Sequence, residues 1–370
     1  MKFLTTQAVS ELDLINQALI NEGLHPLSDQ SEVLLLGEGA WHFAFLLEKE
    51  QLVLRLPKKI AYEKEIPFHR NELTTEYAAT KAFYAHANRA KEGVCPEYFT
   101  FSVQEELTYT LESYLGKSSE IGDLSTNESF HYGVEIGDFF LALETMESPY
   151  KGIGYLKGDE NGKLKGELDM NQKEFMSEET KEYGEVLTRL LASGYEFDKE
   201  RVEAVGRKLI SARSLEGERI TFTNQDTSPE NLIFSERGFK MIDPYPLLSP
   251  GVSLAANHVF NYTYLFPLFY NTIRYQKGHY QQSLLQLKAN ATGFVKAYSA
   301  HSRKKEIDLH IEVYLKLLTM THDHHQLINA KTLSREQMIR YGTREQIEER
   351  FFHFLKNLAQ YSVESPSVCY

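Results

Sequence analysis

The spacing of apolar positions changes along the chain and divides it in two. In residues 31–59, SEVLLLGEGAWHFAFLLEKEQLVLRLPKK, short apolar runs are separated by a glycine pair and by a charged turn at Lys49 and Glu50, which predicts a three-strand meander. Residues 72–89, ELTTEYAATKAFYAHANR, carry Leu, Ala, Phe and Tyr at helical spacing, and EYFTFSVQEELTYTLESYLG after them reads as a hairpin. Ahead of these, MKFLTTQAVSELDLINQALINEGL has helical periodicity rather than the unbroken apolar stretch of a secretory signal. Residues 1–113 therefore predict an N-terminal lobe built on a small sheet with one main helix.

From Gly116 onward helical patterns dominate: ESFHYGVEIGDFFLALETM, EETKEYGEVLTRLLASG and KERVEAVGRKLISARSL. One Gly-rich hairpin, GIGYLKGDENGKLKGELD, interrupts them with its turn at Asn161 and Gly162. Residues 114–370 predict a mostly α-helical second lobe, ending in a frayed SVESPSVCY. The length, 370 residues, exceeds the usual ceiling for one compact core and also favours two lobes. The most apolar stretch, GVSLAANHVFNYTYLFPLFY, contains Asn257, His258, Asn261 and Pro267, so a buried helix is expected rather than a membrane span.

A net charge of -12 gives no electrostatic reason to bind nucleic acid or an anionic membrane. Two cysteines, Cys95 and Cys369, make neither a disulfide framework nor a thiolate metal site, and they fit a reducing cytoplasm.

Candidate chemistry concentrates in TNQDTSPENLIFSERGFKMID, residues 223–243. Asp226 lies in a turn, Asn231 leads into a short strand, and Gly238 turns the chain back toward Asp243. Such a hairpin would gather two carboxylates and an amide oxygen, hard ligands suited to Mg²⁺ alongside phosphate. Taken alone, the same residues also serve as ordinary turn formers. Upstream, Gly37 and Gly39 join two strands and would let backbone N–H groups approach an anion, as an ordinary hairpin also would. In LVLRLP, alternation puts Val53 and Arg55 on one face, where Arg55 could reach phosphate or lie exposed at an edge. Glu76, in the middle of the predicted helix, is placed either to pair with Arg55 or to face solvent.

Glycine loop, strand cation, helix carboxylate, LESYLG and D-x4-N with a following Ile-Asp stand in the serial order of a kinase-type phosphotransferase. From about Leu34 to Leu265 the chain resembles the aminoglycoside phosphotransferase and choline kinase family of small-molecule kinases. The resemblance implies an α+β, protein-kinase-like two-lobed fold that uses ATP and Mg²⁺. It also implies that Asp226 orients the acceptor hydroxyl and takes its proton, that Asn231 and Asp243 hold the metal, and that Arg55 stands where lysine is usual. Adenine would meet backbone near Glu112 and Ser113, with Leu36 and Val53 above it and Ile233 and Ile242 below.

Three features depart from the family. Asn224-Gln225 replaces the usual His-Gly before the aspartate, and Pro244-Tyr245 follows Asp243. The downstream SPGVSLAANHVFNYTY lacks the acids of the family segment; its His258, Asn261, Tyr262 and Tyr264 line a neutral acceptor site or pack as helix. THDHHQL reads as a solvated helix face, because adjacent histidines point apart and only two could share one metal. The expected activity is transfer of a γ-phosphate to a hydroxyl of a small metabolite or antibiotic. A catalytically silent nucleotide binder acting through a partner is the alternative.

Overall fold

A computed structural model describes residues 11–39, 41–159, 162–214 and 217–363. Asn161, Cys369, the first ten residues and the last seven of SVESPSVCY lie outside the described residues.

Helix α1 (Glu11–Asn21) precedes the meander β1 (Val33–Glu38), β2 (His42–Leu47) and β3 (Leu52–Pro57). A short hairpin, β4 (Ile60–Ala61) and β5 (Lys64–Glu65), leads to α2 (Arg70–Ala90), β6 (Phe99–Val103) and β7 (Thr108–Ser113). The strands form an antiparallel five-stranded sheet in the order β1-β2-β3-β7-β6. Because side chains alternate across a strand, Leu54, Leu56, Tyr109 and Leu111 close a small core against Ile15, Ala18 and Leu19 of α1. Val53, Arg55, Thr110 and Glu112 are thereby left on the opposite face.

The rest is mostly helical: α3 (Thr126–Thr145), a hairpin β8 (Ile153–Gly158) and β9 (Leu164–Leu168), α4 (Gln172–Leu191) and α5 (Lys199–Ala212). Next come β10 (Ile220–Asn224), the hairpin β11 (Leu232–Ser235) and β12 (Gly238–Met241), and β13 (Pro246–Pro250). Helices α6 (Gly251–Phe260), α7 (Phe266–Phe269), α8 (Leu284–Tyr298), α9 (Arg303–Asn329), α10 (Arg335–Tyr341) and α11 (Arg344–Gln360) complete the chain. A second sheet has the order β10-β13-β8-β9, so the Gly-rich hairpin adds two strands beside the strand that follows Asp243.

The large core does not divide at residue 113. Phe83, Tyr84 and Ala87 of α2 belong to it together with Phe139, Phe222 and Leu248, so the N-terminal sheet is anchored to the helical lobe through α2. Helices α3 and α8 approach closely: a Cβ on Gly133 would lie 2.0 Å from the Asn290 carbonyl oxygen, and one on Gly293 would lie 2.1 Å from that of Phe130.

The stretch expected to be a buried helix is one, and among the described residues no helix is long and apolar enough to cross a membrane. It is not uniform. Residues Asn261–Leu265 form a π-helical turn, with the Phe266 N–H bonded to Asn261 O. Pro267 follows: it has no N–H to give to Thr263 O, and its ring would clash with that carbonyl in a regular turn, so the helix widens there.

The histidine cluster corrects an expectation. His322 and His324 are buried rather than solvated, because α9 runs through the middle of the helical lobe. The His324 ring packs against Phe269, Tyr341 and Phe354, and burial beside Arg350 pushes its pKa down to about 3.

Candidate active site

The 223–243 segment closes on itself. Register pairing of Leu232 with Met241 sets Asn231 beside the chain leaving the hairpin, so the Ile242 N–H bonds Asn231 O at 3.0 Å and Asn231 Nδ2 donates to Asp243 O at 3.3 Å. Asp243 has φ +48°, a left-handed conformation that costs a non-glycine residue about 1–3 kcal/mol and is found mainly where surrounding structure enforces it. Its side chain is 55 % exposed.

Asp226 is held by Asn224. The Asn224 amide oxygen accepts from the Asp226 N–H at 3.0 Å and from the Tyr245 N–H at 2.7 Å, while its Nδ2 donates to Asp226 O at 2.6 Å. One amide thus staples the Asp226 turn to the chain between Asp243 and β13. Burial raises the Asp226 carboxyl above its ordinary value; the Ser228 N–H opposes this and the Asp243 charge adds to it.

A second anchor lies beneath. Thr227 Oγ1 meets His258 Nδ1 at 2.9 Å, His258 Nε2 meets Asn290 Oδ1 at 3.0 Å, and the Tyr262 hydroxyl donates to Thr227 O at 3.2 Å. Burial pushes His258 down to about 3, so the ring is neutral. His258, Tyr262 and Tyr264, one reading of which was an acceptor lining, are core residues at 0 %, 0 % and 3 % exposure. They face inward because α6 and the turn after it pack against neighbouring helices, α8 among them.

Arg55 and Glu76 do not form the expected pair. The partner of Arg55 is Glu112, with Nε and one terminal nitrogen each 3.0 Å from Oε1, because both side chains leave adjacent strands on the same face. The other terminal nitrogen is 4.0 Å from an Asp243 carboxylate oxygen. Burial alone would depress the guanidinium, but Glu112 and then Asp243 hold it well above its ordinary value. Glu112 is therefore an internal counter-ion. The Ser113 N–H donates to Tyr98 O at 3.0 Å and the Tyr114 N–H to Gln51 O at 2.9 Å, so the backbone beside Glu112 and Ser113 is tied to the residues just ahead of β6 and β3.

Glu76 opens to solvent in the cleft, yet the surrounding protein desolvates its carboxylate and Asp243 adds like charge, together pushing it up to about 7. His42, whose Nε2 lies 2.9 Å from the Tyr77 hydroxyl, is pushed by burial down to about 4 against the attraction of Asp243. Gly37 sits at an irregular step in β1, and a Cβ there would meet nothing within 4 Å. Gly39 bonds across the turn to His42 O, and Lys58 clamps its carbonyl at 2.6 Å. Val53 and Ile233 are nearly closed at 5 % and 7 %, Ile242 is half-buried, and Leu36 is exposed.

Among the described residues no three His, Cys, Asp or Glu side chains cluster as a metal cage. One exposed carboxylate and one amide oxygen suit Mg²⁺, which takes few protein ligands when phosphate supplies the rest.

No family model matches the chain, and no curated protein does. Solved structures do. Aminoglycoside phosphotransferase APH(4)-Ia, a ternary complex with AMP-PNP and hygromycin B, superposes with a TM-score of 0.53 at 13% identity, covering 94% of this chain and 98% of that one. The GDP and kanamycin complex of APH(2")-IIia gives 0.51 at 12% identity, over 94% and 99%. The chain has the fold of the small-molecule kinases. A choline/ethanolamine kinase family protein from Mesorhizobium loti is also similar, at 0.48, 14% identity and 93% and 94% coverage. Within this kinase-like fold, sequence reasoning overlooked Tyr84 and Asn224. Tyr84 is hidden in a helix with no motif around it, whereas Asn224 was visible only as a departure.

Proposed function

We propose that the chain is a phosphotransferase that moves the γ-phosphate of ATP to a hydroxyl of a small molecule. The observation that carries this reading is the convergence of Arg55, Asn231 and Asp243 in one cleft with Asp226 tethered beside them. The AMP-PNP and GDP in the two similar structures support a purine nucleotide donor.

Each side chain then has a task. The Arg55 guanidinium, fixed from behind by Glu112, presents its free edge to phosphate oxygens. Asn231 and Asp243 would hold Mg²⁺, whose charge neutralises the phosphates when bound. Asp226, with a carboxyl raised by burial, is poised to accept the proton of an acceptor hydroxyl. The Tyr155 and Tyr245 rings, 5.0 Å apart, are both exposed beside this loop, and the Tyr155 hydroxyl donates to Gln225 Oε1 at 3.0 Å. They offer the acceptor an aromatic wall.

The test is nucleotide turnover against a panel of hydroxyl compounds, with wild type and Asp226→Ala. Acceptor-stimulated turnover that falls by about 10²–10⁴-fold in the variant, with nucleotide affinity nearly unchanged, supports the reading. Nucleotide binding without turnover in either protein would instead indicate a silent binder.

A further inference from the structure

A cavity of about 590 Å³ lies in the helical lobe and shares no residue with the site above. Its volume falls within the range of small-molecule sites. Val259, Ala291, Val295 and Val313 form apolar walls, and Tyr264 and Tyr361 contribute rings to the lining. Its rim is cationic. Lys288 and Lys296 make no ion pair among the described residues, the Lys296 ammonium lying 5.6 Å from the Phe130 ring centre, and the third cation, Arg303, meets the one acid of the lining, Glu306, at 3.0 Å. On a chain of net charge -12 this local surplus does not follow from composition.

Two further observations mark the cavity. His310 forms part of the wall at 4 % exposure, and its Nδ1 has no hydrogen-bond partner, which is rare for a buried polar atom. The widened turn Asn261–Leu265 supplies Thr263 and Tyr264 to the lining, and such turns recur at functional sites.

We propose that this cavity binds a small amphipathic anion, a carboxylate on a hydrocarbon or aromatic body. The body fills the apolar space, the carboxylate faces Lys288, Lys296 turns to it from the Phe130 ring, and polar atoms near the wall meet His310. Two lysines without acid partners favour an anion over a neutral or cationic guest, since like charge at the rim would repel a cation.

The test uses decanoate, titrated calorimetrically into the full chain, with decan-1-ol and decyltrimethylammonium as neutral and cationic probes of equal tail. Saturable one-to-one decanoate binding, weakened about tenfold by Lys288→Glu/Lys296→Glu and by high salt, is expected. Ala291→Trp, which fills the cavity, should abolish it, and Asp243→Ala in the cleft should leave it within about twofold. The proposal is overturned if decanoate does not bind, if the cation binds as well, or if binding survives charge reversal. Loss of binding in Asp243→Ala would assign the probe to the cleft and also overturn it. The charge-reversal variant alters only exposed side chains, so it decides the matter even where Ala291→Trp does not fold.

Discussion

The Tyr84 hydroxyl joins Glu112 to Asp243: it donates to Glu112 Oε2 at 2.9 Å and accepts the Asp243 N–H at 3.2 Å. Through it the counter-ion of Arg55 and the strained backbone of Asp243 share one buried atom. Tyr84→Phe keeps the ring and removes the link. The expected cost is about 1–2 kcal/mol in urea unfolding. Affinity for Mg²⁺-nucleotide should fall as well; an unchanged affinity would mean that Asp243 is positioned without Tyr84.

Glu76 predicts a pH dependence of defined sign. Its carboxyl stands at about 7 in the folded chain against an ordinary 4.5, so between these values the folded state binds more protons than the unfolded one. Stability contributed by the protonated form is present below 4.5 and is lost as pH rises through 7. Glu76→Gln should therefore flatten the stability profile across this window and be the more stable protein above it. Denaturant melts at pH 5 and pH 8, about the ends of that window, check this.

His86 predicts the opposite slope. Its ring is 2 % exposed, packs 5.5 Å from Phe222, and neither nitrogen has a hydrogen-bond partner. Burial, with Arg89 nearby, pushes it from 6.5 down to about 4. The unfolded state binds the extra proton in that range, so stability is lost as pH falls from 6.5 toward 4. His86→Phe should reduce acid sensitivity and cost little at neutral pH, since it removes two unsatisfied atoms; thermal melts across the range test it.

Two glycines separate packing from propensity. Gly293→Ala drives a Cβ onto the Phe130 carbonyl and should destabilise by about 3 kcal/mol or more while disturbing the Asn290 support of His258. Gly184, inside α4, has open space around it, and Gly184→Ala should stabilise by about 0.5–1 kcal/mol. Chemical denaturation of both variants provides the comparison.

What the sequence disclosed followed its periodicities. Short apolar runs broken by turn formers over residues 31–59 specified β1 to β3, and alternation within LVLRLP specified the shared face of Val53 and Arg55, because side-chain direction in a strand is a local property. The spacing between Asn231 and Asp243, with Gly238 between them, was enough to foresee a returning hairpin. Partner choice was not local. Glu76 was the carboxylate offered to Arg55, and only the pairing of β3 with β7 brings Glu112 to it instead. The burial of His324 was equally hidden, since a polar ring on a helix looks the same in sequence whether the next layer is water or Phe354.

The widened turn at Asn261–Leu265 ties two fates together. Tyr262 from this turn grips the carbonyl beside Asp226, and its neighbours Thr263 and Tyr264 face the cavity. Pro267 keeps a regular turn out of reach here, so any change that repacks the widened turn moves the Tyr262 hydroxyl and the Tyr264 ring together. Cavity shape and loop anchorage are therefore set by one stretch of five residues, and neither can shift without the other.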